Sequence, residues 1–127
     1  MTGRYKMKIV TDFAAAHVLR GYPGACSRLH GHNWKVEVEV VASKLDAIGM
    51  GMDFKDIKGA TKTVIDTMDH RHLNELPPFT EVNPTAENIA AFIYTSLASK
   101  INDERVNVRA VTIWETERAC VTYSEDE

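Results

Sequence analysis

The strongest constraint on the fold lies in residues 33–41, where apolar and charged side chains alternate. Val36, Val38 and Val40 are separated by charged residues, and the charged set is Lys35, Glu37 and Glu39. Successive side chains of a strand point to opposite faces, so this pattern predicts an antiparallel strand with one buried and one wet face. The rest of the chain must therefore supply a layer that covers the valine face.

The remaining patterns predict that layer and the strands beside it. We predict three further strands, at residues 5–15, 106–115 and 119–124. We also predict two helices, at residues 56–68 and 85–100. Thr85 follows Pro84 and is a suitable N-cap for the second helix. The order of elements predicts an α+β fold with both helices on one face of an antiparallel sheet. The chain has 127 residues, 44% of them hydrophobic, so we expect a single domain spanning residues 1–127.

Composition excludes several classes of function. The formal net charge is −3, which is not the basic footprint of a nucleic-acid-binding protein. No run of about 18 apolar residues is present to span a membrane, and residues 1–5 lack the apolar core of a signal peptide. We therefore expect a cytoplasmic protein without membrane or nucleic-acid partners. Two cysteines are too few for a disulfide framework, and Cys120, inside a predicted strand, is expected to be buried and inert.

Three histidines form the clearest candidate site. His30-Gly31-His32 leads into the alternating strand, and residues two apart on a strand share a face, so both imidazoles can bind one ion. His17 closes the first predicted strand, from which it can supply a third ligand. Three neutral imidazoles suit zinc and leave a fourth position open for water or substrate. The alternative is ordinary loop histidines, but Cys26 nearby favours a metal site.

Cys26 has three possible roles at this point. It could complete a closed structural site of one cysteine and three histidines. It could instead be a reactive thiol whose pKa is lowered by the neighbouring cation, which would make it a usable base or nucleophile. The third alternative is a buried, inert cysteine.

Two acidic positions are candidates for chemistry. Asp69 precedes His70 at the end of the first helix, where a carboxylate can fix the imidazole tautomer and leave the other ring nitrogen free to transfer a proton. The alternative is a histidine that only stabilises the helix C-terminus. Glu115 ends an apolar strand; it lies either in water, which the residues alone favour, or in a site where it would bind the paired donors of a guanine or pterin edge.

Six short motifs occur together in this chain. They are Phe13-x3-His17, Cys26-x3-His30-Gly31-His32, Asp53-Phe54, Asp69-His70-x2-Leu73-Asn74, Asn83-Pro84-Thr85-x-Glu87-Asn88 and Trp114-Glu115-Thr116. As a set they resemble the 6-pyruvoyltetrahydropterin synthase family over residues 9–123. The three-residue gap between Cys26 and His30 resembles the bacterial-type branch, the 6-carboxytetrahydropterin synthases of queuosine biosynthesis. The charged Glu117-Arg118 turn departs from the small or proline residues usual there.

The resemblance implies a fold, an assembly and a reaction. The fold would be the tunnelling fold, a ββααββ subunit whose sheets join into a barrel in a homo-oligomer of trimers or paired trimers, with active sites between subunits. The implied enzyme is a zinc-dependent lyase that converts 7,8-dihydroneopterin triphosphate to 6-carboxy-5,6,7,8-tetrahydropterin, acetaldehyde and triphosphate. The alternatives are the pyruvoyl-forming synthase, which keeps the carbon chain, and a non-catalytic zinc- or pterin-binding protein.

The resemblance also implies roles for individual residues. The zinc ligands would be His17, His30 and His32. Cys26 would be the general base, and His70, oriented by Asp69, the general acid. For the substrate, Glu115 would anchor the pterin ring and Thr85 would line the pocket.

Overall fold

The computed structural model describes residues 3–24 and 28–125 of the chain. Five strands and two α-helices form the fold: β1 Tyr5–His17, β2 His30–Ala42, α1 Phe54–Ile65, β3 Arg71–His72, α2 Ala86–Ile101, β4 Val106–Thr116 and β5 Ala119–Tyr123. A short 3-10 helix, Leu73–Glu75, follows β3. The α+β class and the two helices are as the sequence predicts.

The strands form one sheet in the order β3-β1-β2-β4-β5. β1 pairs with β2 along its whole length, from Tyr5 opposite Ala42 to His17 opposite His30. The β2–β4 and β4–β5 pairs are also antiparallel. The expectation of a wholly antiparallel sheet is wrong at one edge, because β3 pairs in parallel with the end of β1. The sequence gives little warning of β3, since two residues are too few to show a period.

The alternating pattern in β2 has the predicted consequence. Val36, Val38 and Val40 are fully buried in a core between the sheet and the two helices. The helices contribute apolar residues to that core, chiefly Ile57, Val64, Ile65, Ile89, Ile93 and Leu97. Burial of such side chains stabilises the fold by about 1.5–3 kcal/mol each. The opposite face of β2 carries charges, including the ion pair between Lys8 and Glu37.

Both helices begin at side-chain caps. The carboxylate of Asp53 accepts a hydrogen bond from the backbone N–H of Lys55, so α1 begins two residues before the predicted start. It ends at Ile65, three residues before the predicted end. Thr85 is the N-cap of α2, as predicted, and its hydroxyl accepts from the N–H of Asn88. No helix in the described part of the chain is long and apolar enough to cross a membrane.

The expectation for Cys120 is wrong. Its side chain is exposed, because β5 is the outer strand and Cys120 pairs with Trp114. Trp114 in turn pairs with Lys35, on the charged face that the helices leave uncovered.

Candidate active site

The register of β1 and β2 brings three histidines together. His17 lies directly opposite His30, and His32 follows two residues later on the same face of the sheet. The imidazole ring centres are 4.4 Å apart for His17 and His30, and 4.9 Å apart for His30 and His32. The strand pairing therefore places the three histidines next to one another at one end of the sheet.

The hydrogen bonds of two of these rings fix their tautomers. Nδ1 of His17 lies 2.7 Å from the carbonyl oxygen of Pro84, and Nδ1 of His30 lies 2.7 Å from that of Arg28. A carbonyl oxygen only accepts, so each Nδ1 carries the proton. In the neutral rings each Nε2 is left with its lone pair, which is the form that binds a metal ion.

The contact between the imidazoles of His17 and His30 is unfavourable unless a cation lies between them. Nε2 of His17 and Nε2 of His30 are 2.9 Å apart. With both Nδ1 atoms protonated, two neutral rings bring lone pairs face to face, which no hydrogen bond between them relieves. Nε2 of His32 is buried and has no hydrogen-bond partner among the described residues. A metal ion between the three nitrogens would satisfy all of them.

A carboxylate completes the group. Oε2 of Glu115 lies 3.2 Å from Nε2 of His32 and 3.4 Å from Nε2 of His17. The pairing of β4 with β5 is irregular between Trp114 and Thr116, so Glu115 occupies a bulge. Bulges turn a side chain out of the regular alternation and are common beside active sites. The sequence motif implies that Glu115 contacts the pterin ring; the structure places it beside the histidines.

The donor set fits a tetrahedral metal ion such as zinc. Four ligands at about 2.0–2.1 Å from such an ion lie about 3.3 Å from one another. Three of the separations between donor atoms here are 2.9, 3.2 and 3.4 Å, and all four donor atoms lie within 4.8 Å of one another. His17 is fully buried, whereas His32 and Glu115 keep 20% and 34% of their side-chain exposure. The group is therefore closed on one side and accessible on the other.

Burial disfavours protonation of two of the histidines, which keeps their imidazoles available to a metal ion. Burial lowers the pKa of His17, although the hydrogen bond to Pro84 works in the opposite direction. Burial also lowers the pKa of His32, against the attraction of the Glu115 carboxylate. Underneath, the buried ring of Trp34 packs edge-on against both rings and donates from Nε1 to the carbonyl of Ala15. Trp34 therefore supports the cluster from the buried side.

Asp69 and His70 form a second feature, on the other side of β1. Oδ1 of Asp69 accepts from the backbone N–H of Ala14 at 3.0 Å and lies 3.0 Å from Nδ1 of His70. The hydrogen bond from Ala14 is the main cause that lowers the pKa of the Asp69 carboxyl. An ionised Asp69 accepts from Nδ1, which leaves Nε2 of His70 pointing away from the carboxylate. This is the orientation that the sequence motif implies.

His70 is held in an uncommon conformation and is open to solvent. Its backbone φ is +60°, which is rare for a residue other than glycine, and its N–H donates to the carbonyl of Ala14. Its side chain is 81% exposed. Strained backbone of this kind is often found at functional sites, where the surrounding structure maintains it.

The other predicted site residues lie as follows. Thr85 caps α2 next to Pro84, whose carbonyl binds His17, so its hydroxyl is engaged with the helix. Cys26 lies outside the described residues. His72 lies on β3, with Nδ1 3.5 Å from Glu75 and outside the histidine group.

Fold and site together define an α+β protein in which three histidines and a glutamate could hold a metal ion at one end of the sheet. The family described as 6-pyruvoyl tetrahydropterin synthase matches residues 6–126. The chain therefore belongs to this family of enzymes, as its motifs predict.

Relatives support the same assignment. An Archaeoglobus fulgidus protein, provisionally named as a 6-carboxy-5,6,7,8-tetrahydropterin synthase, is 43% identical over 86% of this chain and 86% of its own length. The Haemophilus influenzae 6-carboxy-5,6,7,8-tetrahydropterin synthase is 31% identical over 95% of this chain and 99% of its own. The structure of Caenorhabditis elegans 6-pyruvoyl tetrahydropterin synthase superposes with a TM-score of 0.86 at 28% identity, covering 98% of both chains.

Proposed function

We propose that this chain is a zinc-dependent 6-carboxytetrahydropterin synthase that serves queuosine-type 7-deazapurine biosynthesis. It would convert 7,8-dihydroneopterin triphosphate and water to 6-carboxy-5,6,7,8-tetrahydropterin, acetaldehyde and triphosphate. The observation that carries the proposal is the histidine cluster, in which two of the three rings are held in the tautomer that binds a metal ion. The two relatives of the 6-carboxy type support the choice of product.

The metal would be held by Nε2 of His17, His30 and His32. A bound zinc ion would act as a Lewis acid toward the hydroxyl groups of the substrate side chain and would acidify the neighbouring C–H bonds. The protein's part is to keep three neutral imidazoles in place, which the carbonyls of Pro84 and Arg28 do for two of them. No redox cofactor is required, because the ring gains the electrons that the side chain loses.

Proton transfer would fall to Cys26 and His70. We propose that the Cys26 thiolate removes a proton from the substrate side chain. His70 would deliver a proton from Nε2, while Asp69 holds Nδ1 and so orients the ring. The side chain of His70 faces outward, so it would act on a substrate held partly by another subunit.

Glu115 would serve the substrate next to the metal. Its side chain is 34% exposed on the open side of the cluster, and the neighbours of its carboxylate among the described residues include the imidazoles of His17 and His32. We propose that it accepts hydrogen bonds from the donor edge of the pterin ring, with the first turn of α2 at Thr85 as a neighbouring wall.

The exposed acid pair also supports an assembly. We propose a homo-oligomer, a trimer or a pair of trimers, in which His70 of one subunit serves the histidine cluster of a neighbour. In the described part of the chain, β3 pairs with β1 only at Ala15 and Ala16, so the rest of that edge of β1 and the outer edge of β5 are available for strand pairing between subunits. We further propose a cytoplasmic location, where the thiolate of Cys26 would stay reduced.

The test is a product assay with the zinc-loaded oligomer. Incubation with 7,8-dihydroneopterin triphosphate, followed by mass spectrometry and an acetaldehyde assay, should give the carboxypterin and acetaldehyde in equal amounts. A pyruvoyl product without acetaldehyde would place the chain with the sister enzymes, as the likeness to the C. elegans protein allows. Absence of turnover in zinc-loaded, assembled protein would favour a binding role.

A further inference from the structure

Two asparagine side chains grip the chain directly after His17. Oδ1 of Asn74 accepts from the N–H of Val18 at 2.8 Å, and its Nδ2 donates to the carbonyl of Val18 at 2.9 Å. Asn83 does the same for Arg20, with distances of 2.9 and 2.8 Å. Four hydrogen bonds therefore hold residues 18–20 where β1 has already ended.

Each amide replaces a neighbouring strand at this point. A strand neighbour offers one donor and one acceptor to the residue opposite, and the side-chain amide of asparagine offers both in one planar group. Aspartate has the same size but no donor, and alanine has neither. The pairs of bonds also fix which end of each amide is oxygen and which is nitrogen.

The side chains of Asn74 and Asn83 are called the two clamps. Both residues belong to segments that surround the histidine cluster. Asn74 belongs to the 3-10 helix after β3. Asn83 precedes Pro84, whose carbonyl accepts from His17, and the carbonyl of Asn83 accepts from the side chain of Asn88 in α2. The clamp on Arg20 and the acceptor for His17 are therefore neighbours in the chain.

We propose that Asn74 and Asn83 are positioning residues for the metal centre. They fix the backbone that follows His17 against the segment that carries Pro84, and so keep Nδ1 of His17 on the Pro84 carbonyl and Nε2 aimed at the metal. Without them, the backbone of residues 18–20 loses these four bonds and keeps the side-chain bond from Arg20 to the carbonyl of Phe79, and the hydrogen bond that sets the His17 tautomer weakens. This inference rests on the proposed metal centre and extends it to residues that touch neither metal nor substrate.

The test compares three alanine variants. Asn74→Ala and Asn83→Ala each remove one clamp. Asn102→Ala is the matched control, because Oδ1 of Asn102 also accepts from a backbone N–H, that of Val108 at 2.8 Å, at the opposite end of α2. That helix has 16 residues and is about 24 Å long, so the control lies well away from the cluster.

Two readouts separate positioning from general stability. Zinc affinity, measured by competition with a chromophoric chelator, should fall about tenfold in Asn74→Ala and in Asn83→Ala, the effect typical of losing support for a ligand. The visible absorption bands of the cobalt(II)-substituted protein should change in both. Asn102→Ala should lower the melting temperature yet keep wild-type zinc affinity and cobalt spectrum.

The outcomes are decisive in each direction. Wild-type zinc affinity and cobalt spectrum in both clamp variants would overturn the proposal, whatever happens to their stability. If Asn74→Ala does not fold, Asn74→Asp keeps the acceptor for the N–H of Val18 but sets a carboxylate oxygen against the Val18 carbonyl in place of the donor, and it should also lower zinc affinity. If the wild-type protein turns over with zinc and the clamp variants bind zinc normally, the positioning role of Asn74 and Asn83 is rejected and the proposed function stands. Wild-type protein that binds no zinc would reject the metal centre as well.

Discussion

The two halves of the candidate site are built in opposite ways. The histidine cluster lies at the paired ends of β1 and β2, with a buried His17, a floor of Trp34 and carbonyl acceptors for two rings. The Asp69–His70 pair lies at the outer edge of β1, with a side chain of His70 that is 81% exposed. The histidine cluster is therefore the closed half of the site, and the Asp69–His70 pair is the open half. One chain completes the closed half, so a single subunit should bind the metal ion, whereas turnover should require the oligomer.

The largest expected effect is loss of the metal from the closed half. His32→Ala removes one of three imidazoles, so zinc affinity should fall by more than the 10- to 100-fold that loss of an outer-shell partner costs. Turnover should disappear with it. Metal analysis after dialysis checks this, and His72→Ala, a histidine outside the group, is the control. Stoichiometric zinc in His32→Ala would show that the cluster is not the metal site.

A smaller but still large effect is expected in the open half. His70→Ala should lower kcat by roughly 10²- to 10⁴-fold, the usual contribution of a general acid or base, while zinc content stays at the wild-type level. Cys26→Ala should behave in the same way. Zinc loss in either variant would mean that the two halves are not separate, and Cys26 would then be a ligand.

Mixed oligomers test whether the halves meet between subunits. His17→Ala and His70→Ala are each expected to be inactive, but their co-assembled mixture should regain turnover. Random mixing puts an intact cluster beside an intact acid in about a quarter of interfaces. Steady-state rates of the reassembled mixture measure the recovery, and each variant reassembled with itself is the control. No recovery in confirmed mixed oligomers would place both halves in the same chain.

A substitution at Glu115 distinguishes a role in metal binding from a role in substrate binding. Glu115→Gln removes the charge but keeps the shape, so KM should rise about tenfold, as expected when one charge-assisted hydrogen bond is weakened. Zinc affinity should change by no more than a few-fold. The opposite result, weaker zinc binding with an unchanged KM, would make Glu115 a metal ligand instead of a pterin anchor.

The smallest effect concerns the acid stability of the open half. The pKa of Asp69 is lowered in the folded chain, chiefly by the hydrogen bond from Ala14, so the ionised carboxylate stabilises the fold above the unfolded pKa of about 3.9. That contribution is lost as the pH falls through the lower folded pKa. Thermal unfolding of the wild type and Asp69→Asn should differ slightly at neutral pH, and the difference should vanish in acid. A difference independent of pH would show that the carboxylate charge has no part in it.

Much of the closed half could be predicted from sequence because it depends on strand parity. His30 and His32 share a face by their spacing, and the match of His17 to His30 follows once the two strands pair end to end. The valine alternation of β2 likewise predicts which face is covered. These features depend on the two-residue period of a strand, which is visible in the letters.

The remaining features depend on irregular geometry that has no period. The position of Glu115 follows from a bulge between Trp114 and Thr116, and a one-residue irregularity cannot be distinguished in the sequence from a regular strand. β3 is too short to show alternation, and the positive φ of His70 arises from contacts with Ala14 that are 56 residues away. The exposure of Cys120 does not follow from the sequence, because an apolar neighbour does not reveal that a strand lies at the sheet edge.

The bond between His17 and Pro84 has one more consequence. It joins residues 67 positions apart, so the cluster takes its ligand-ready form only after β1 and the start of α2 have come together. An unfolded chain offers the same imidazoles without that order and should bind zinc far more weakly. By mass action, a ligand that prefers the native state raises its stability by about 2.7 kcal/mol when present at a hundred times its dissociation constant. With the proposed metal centre, the supply of metal would therefore set how much of the chain is folded, as well as how much of it is active.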